Sequence, residues 1–339
     1  MSKIIAIMFL LCCGMMLFGC ADDNGRRKAE QQKTIVVTDS VGRKVELPYP
    51  LERVAVCNVY NAELITAVGA IDKIVGVDNY IFKDQSGFKN RFNETQVFGI
   101  SQNAMNYEKL AELSPQAVII TGEGTWRDAQ EMLDRFGIKV IVINSYYTDQ
   151  FADNCRLIGR IFGREEQAEE LVNYFNDKLA YIQKQLQGVP RRSLYFEYRT
   201  LGKTAVPGDA DNIFAAAKGS QVDQEAIIEK DPQYIVKVAD ANAYSSYQPP
   251  TIEEEKAIKK ELVLRSGWAG IDAVRNDRIL LLSHYLHGGA SKLVGTIYIA
   301  KFLYPEYLPE LHPEEVFKTW LEKYQQLHYI KGHAYPELY

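Results

Sequence analysis

The same ordering of polar and apolar positions is written twice along the chain. The run from Tyr107 through Pro115 to Ile120 recurs in register as Gln224 through Pro232 to Lys237. In each copy a glutamate opens a short amphipathic helix, a proline ends it, and an apolar, largely β-branched run reads as a buried parallel strand. Around these cassettes the rhythm continues. Residues 34–38 and 44–47 alternate as a hairpin turning at Ser40-Val41-Gly42, 53–57 and 74–77 read as strands, and 62–68 as the helix between them. Residues 126–136 are amphipathic, and 139–143 form another apolar strand. Residues 164–187 break the alternation as one long helical stretch, closed by Gly188 and Pro190. Beyond it come a strand at 194–198, a helix at 211–218, the second cassette, a helix at 252–264 and a strand at 278–282. Short apolar strands alternating with helices predict parallel sheets with right-handed crossovers. The expected fold is α/β: two Rossmann-like lobes with parallel sheets, joined by a single long α-helix, with a ligand cleft between them.

The N-terminus sets the compartment. Lys3 precedes an almost wholly apolar run at 4–18, too short for a comfortable transmembrane helix, which needs about 20 such residues. Leu17-Phe18-Gly19-Cys20 closes that run and resembles the lipobox of bacterial lipoproteins, which implies cleavage before Cys20 and a lipid on it. The expected organisation is a signal peptide at 1–19, a lipidated flexible tether at 20–33, an N-terminal lobe at 34–163, a connecting helix at 164–188 and a C-terminal lobe at 189–339. The protein is then exported and anchored to the cell membrane through the Cys20 lipid.

Composition narrows the chemistry further. A formal net charge of −5 without a basic stripe argues against nucleic acid as a partner. Of five cysteines only Cys57 and Cys155 lie in the body, so a disulfide framework is excluded, although one bond between them stays open. There is no Cys-x-x-Cys, which removes iron–sulfur and zinc-ribbon sites.

With these features in place the chain resembles the class III (cluster A-II) periplasmic substrate-binding proteins of ABC importers for ferric siderophores, haem and cobalamin. The resemblance is carried by residues 35–43 with Pro48, Arg53 and Val54, by Leu64 and Gly69 through Val77, by the two cassettes and the long helix, and by residues 268–281. It covers nearly the whole body and implies a non-enzymatic importer component with no intrinsic cofactor, whose ligand is an iron chelate, haem or cobalamin. Its implied partners are an ABC permease dimer with its ATPase subunits. For Glu108 and Glu225 the resemblance implies docking, one carboxylate per lobe meeting arginines of the two permease subunits, and paired carboxylates do suit a two-fold partner. A first-turn glutamate also complements a helix dipole.

In parallel sheets ligands gather beyond the carboxyl ends of the strands. Those ends supply Asn58, Tyr60, Asn79, Tyr80, Ser101, Gln102, Glu123 and Trp126 in the first lobe. In the second they supply Glu197, Tyr198, Arg199, Tyr244, Tyr247, His284, Tyr285 and His287. Tyrosines can stack on a catecholate, a hydroxamate shell or a macrocycle, and Arg199 can pair with an anionic chelate; together they favour a ferric siderophore. His284 and His287 are expected in a loop, where they either ligate metal, with Glu197 as the third ligand to consider, or hydrogen-bond an organic ligand. His312, His328 and His333 read as surface residues. A chelatase-like enzyme and a ligand sensor on the same architecture are the competing readings; the first would need an internal acid or base, for which only His284, His287 and Glu197 offer themselves.

Overall fold

The apolar runs form the interior strands of two five-stranded sheets, one per lobe, in a computed structural model that describes residues 33–84, 87–88, 90–198, 211–212, 222–239 and 249–338. The chain opens with the expected hairpin, β1 (Thr34–Thr38) against β2 (Lys44–Pro48). Its turn explains Asp39 and Arg43. The Asp39 carboxylate accepts the backbone N–H of Arg43 at 2.9 Å and of Val142 at 3.2 Å, and pairs with the Arg43 guanidinium at 2.6 Å. One buried carboxylate thus closes the turn and bolts the hairpin to the edge of the first sheet.

That sheet contains β3 (Val54–Val56), β4 (Ile74–Asp78), β5 (Val97–Gly99), β6 (Ala117–Ile120) and β7 (Lys139–Val142), all parallel in the order β5-β4-β3-β6-β7. The order reverses between β3 and β6, the switch point at which open parallel sheets form a crevice. Helices α1 (Val59–Ala67), α2 (Asn79–Lys83), α3 (Tyr107–Glu112) and α4 (Trp126–Asp134) alternate with these strands. The second sheet holds β8 (Ser193–Tyr198), β9 (Asp211–Asn212), β10 (Tyr234–Val238), β11 (Ile279–Leu282) and β12 (Ala334–Tyr335), in the order β12-β11-β10-β8-β9 with only β12 antiparallel.

Between the sheets stand α5 (Phe151–Phe162) and α6 (Glu165–Gln185). The sequence pattern had α6 but not α5, whose apolar residues Phe151, Cys155, Ile158 and Phe162 follow helical spacing just before it. Gly163, at φ 63°, ends α5 in the left-handed conformation, and the two helices then press together where Gly159 meets Ala168, a contact that leaves no room for a β-carbon. The second lobe adds α7 (Gln224–Lys230), α8 (Ile252–Val263), α9 (Asp272–Arg275), α10 (Ser291–Leu303) and α11 (Pro313–Thr319). Residues 211–218 are not the expected helix at their start: 211–212 pair with β8 as a strand, and 213–218 lie outside the described residues.

The twin cassettes, α3–β6 and α7–β10, match in detail. Asn106 caps α3 and Asp223 caps α7, each through its side-chain oxygen. Ser114 (φ 50°) and Asp231 (φ 40°) take the left-handed turn before the two prolines. Gln116 Oε1 then accepts the N–H of Glu52 at 2.7 Å, and Gln233 Oε1 accepts that of Ser193 at 3.0 Å. In both lobes a glutamine amide fixes the start of the neighbouring strand.

The largest apolar core runs without interruption from Val54 and Leu64 through Phe175 of α6 to Phe196, Phe317 and Trp320. His333 corrects the surface reading: it is buried, its Nδ1 lies 2.7 Å from Ser283 Oγ, and its ring meets Phe317 edge-on. Cys57 and Cys155 are free, buried thiols in different cores, so they form no disulfide.

Candidate functional site

The strand β3 ends in a turn that only an unusual backbone can make. Asn58 sits at φ 77°, a strained conformation for a side chain other than glycine, and its Oδ1 accepts the N–H of Tyr60 to start α1. Asp78 holds this turn from the neighbouring strand: one carboxylate oxygen accepts Asn58 N–H at 3.2 Å, the other accepts Ile81 N–H at 2.9 Å and so caps α2. Burial pushes the Asp78 carboxyl up, against the pull of those N–H groups. The loops beyond β5 and β6 are tied in the same manner. Gln102 Oε1 accepts Thr121 N–H and Oγ–H at 3.0 and 2.9 Å, while its Nε2 donates to the Glu123 carbonyl.

These turns form one wall of a cavity of about 680 Å³ between the lobes. Of the residues proposed from sequence, Asn58, Tyr60, Tyr80, Ser101, Gln102, Glu123, His284 and Tyr285 line it. The second lobe supplies its wall through the segment after β11, where His284–His287 form a single 3-10 turn rather than a loop. The His284 ring is set by Tyr198, whose hydroxyl lies 2.8 Å from Nε2. Tyr198 therefore backs the cavity without lining it.

Three expected ligand contacts lie elsewhere. His287 is buried between Phe196 and Tyr198, its ring centroid 4.2 Å from that of Tyr198. Trp126 is part of the core beside β6 and β7, with the guanidinium groups of Arg43 and Arg127 4.3 and 4.2 Å from its ring. Glu197 faces the opposite side of β8 from Phe196 and Tyr198, as strand alternation demands, and ends in an ion pair with Lys237 and Arg265. It cannot serve as a third metal ligand, and among the described residues no three His, Cys, Asp or Glu side chains converge on a metal position. Arg199, Tyr244, Tyr247 and Cys20 lie outside the described residues.

The cavity also contains residues that the sequence did not single out, chiefly Glu63, Asp78, Asp84, Phe88 and Gln325. Glu63 is the most informative. It projects from α1, is only 4% exposed, and accepts the N–H of Ala290 from the second lobe at 3.2 Å. Burial pushes its carboxyl up to about 8, partly opposed by the N–H groups of Ala290 and Ser291. Gln325 Nε2 donates to the Glu63 carbonyl, so both ends of this residue join the lobes. Above it Gly288 and Gly289 lie flush against Tyr60, and a β-carbon at Gly289 would fall 2.4 Å from the tyrosine ring and 2.6 Å from the Glu63 carboxylate. A lone carboxylate within the apolar run 62–68 was the available signal for Glu63. Gln325 had none.

Comparison with known proteins agrees with this architecture. A family model described as periplasmic binding protein matches residues 54–286. The ABC transporter substrate-binding lipoprotein YvrC of Bacillus subtilis is 23% identical over 321 residues, spanning 89% of this chain and 97% of its own. The iron(3+)-hydroxamate-binding protein YxeB of the same organism is 24% identical over 305 residues, 82% of this chain and 86% of its own. The molybdate-bound structure of the molybdate-binding protein MolA of Haemophilus influenzae superposes with a TM-score of 0.68 at 21% identity, covering 87% of this chain and 99% of that one. A cleft between two parallel-sheet lobes, a matched pair of cassettes and a family match across both lobes lead to one assignment: the chain belongs to the periplasmic binding protein family, the non-enzymatic, substrate-capturing components of ABC importers.

Proposed function

We propose that this chain captures a ferric chelate of the siderophore type between its lobes and delivers it to an ABC permease. The observation that carries the reading is the cavity itself. At about 680 Å³, lined by tyrosines, amides, an imidazole and the carboxyl groups of Glu63, Asp78, Asp84 and Glu123, it has the size and mixed surface of a site for an organic ligand and greatly exceeds what a bare oxyanion fills. MolA binds molybdate and YxeB an iron(3+)-hydroxamate; the cavity favours the second kind of cargo. Titrating the purified body with ferric hydroxamates, ferric catecholates, haem, cobalamin and molybdate, followed by visible absorption and tryptophan quenching, tests this. Saturable binding of a ferric chelate is the expected result. A Soret band or corrinoid spectrum acquired instead, or binding of molybdate alone, would replace the cargo.

Delivery rests on Glu108 and Glu225, and retention on Cys20. Both glutamates are exposed at the second position of their helices. Each helix runs back from the carboxyl ends of its sheet, so its first turn lies on the edge where the cavity opens. In cells, Glu108→Ala with Glu225→Ala is expected to abolish uptake while ligand affinity stays intact, and Cys20→Ala to release the exported protein from the membrane. Full uptake by the double variant would remove the docking role.

A further inference from the structure

On the first-lobe side, a run of tyrosine rings leads outward from the cavity wall. Tyr60, in the cavity wall, lies 5.4 Å between centroids from Tyr146, and Tyr146 lies 5.6 Å from Tyr147. Tyr146 and Tyr147 are 41% and 39% exposed, a large aromatic surface to leave in water beside a ligand site. The Tyr147 hydroxyl donates to Glu123 Oε1 at 2.9 Å, and Glu123 is itself part of the cavity wall. The rim therefore presents three tyrosine rings and an exposed carboxylate held in place by one of them.

Aromatic rings beside a carboxylate are the chemistry that selects an organic cation. The ring faces carry negative quadrupole density and shed little water on contact, while the carboxylate answers the charge. One such contact is already made across the cleft: Lys292 Nζ, from α10, lies 6.0 Å over the Tyr146 ring. A ferric tris-hydroxamate core is electrically neutral, whereas a ferric tris-catecholate carries three negative charges that Glu123 would repel.

We infer that the cargo is a chelate bearing a pendant ammonium group, and that this group is held at the rim by Tyr146, Tyr147 and Glu123. The inference rests on the ferric-chelate reading and adds the charge of the ligand and the residues that select it. The cation–ring contacts and the partly exposed ion pair together correspond to about a tenfold preference.

The test uses two ferric trihydroxamates that differ in one group: a linear one ending in a free primary amine, and the same molecule N-acetylated. Fluorescence titration of the wild-type protein is expected to show the amine form binding about tenfold more tightly. In Glu123→Gln, and separately in Tyr146→Leu, that preference should shrink toward equality; near-wild-type melting curves confirm that these surface variants fold. Equal affinity of the wild type for both chelates would overturn the ammonium site and leave the chelate reading standing. A preference that survives both substitutions would overturn its placement at this rim. Binding of neither chelate would remove the chelate reading and the ammonium site with it.

Discussion

Replacing Glu197 by alanine is expected to destabilise the fold by about 3–5 kcal/mol, seen as a large fall in the urea midpoint. Glu197 is completely buried, 2.7 Å from Lys237 Nζ and 2.6 Å from Arg265 Nη1, and it also accepts the Tyr195 hydroxyl at 3.1 Å. Burial alone pushes its carboxyl up, yet Arg265 and Lys237 reverse this and hold it below the ordinary carboxylate range. Removing the anion leaves two largely buried cations facing each other. Because the cost comes from uncompensated charge, changing Glu197, Lys237 and Arg265 together to leucine or methionine should recover most of it. A loss below about 1 kcal/mol in the single variant would refute the buried-pair account.

A second large effect concerns pH. The Glu63 carboxyl is pushed from 4.5 to about 8, chiefly by burial, with Asp84 adding repulsion and the N–H groups of Ala290 and Ser291 opposing it. Between those values the folded state keeps a proton that the unfolded state has released. The resulting stability is complete below the unfolded value and disappears as pH rises through the folded one, by up to about 1.4 kcal/mol per pH unit. Glu63→Gln still accepts from Ala290 but carries no titrating proton, so its denaturation curves from pH 5 to 8.5 should lose this slope. Glu255, pushed up to about 7 by burial, titrates in the same window, and the comparison of the two proteins cancels it. Identical pH dependence in both would exclude Glu63 as the source.

Much of the fold was legible because its strands announce themselves. Val54–Val56, Ala117–Ile120 and Ile279–Leu282 are buried on both faces and read as continuous apolar runs. α5 was missed because its pattern runs directly into α6 with only Gly163 and Arg164 between. The site was read less well, and for a geometric reason. Strand ends locate the cavity, which is why Asn58, Tyr80 and His284 were found, but one residue of slip sends a side chain to the opposite face, as Glu197 shows. His287 lies one 3-10 turn beyond His284 and packs on the same Tyr198 ring, but it is buried against Phe196, so depth and not direction keeps it from the cavity wall. Contacts between distant segments, such as Glu63 with Ala290 or Tyr147 with Glu123, leave no local pattern to read.

Each repeated cassette packs into a smaller core of its own lobe, yet the largest core does not divide along that line. One apolar core passes from the first sheet through Phe175 and its neighbours into the second lobe. Such a molecule has duplicated architecture without duplicated autonomy. Recombination between relatives, natural or engineered, would have to carry the connecting helix and both surfaces packed on it as a single inheritance. Specificity is therefore free to drift only at the cavity wall and rim, where change does not cross the seam.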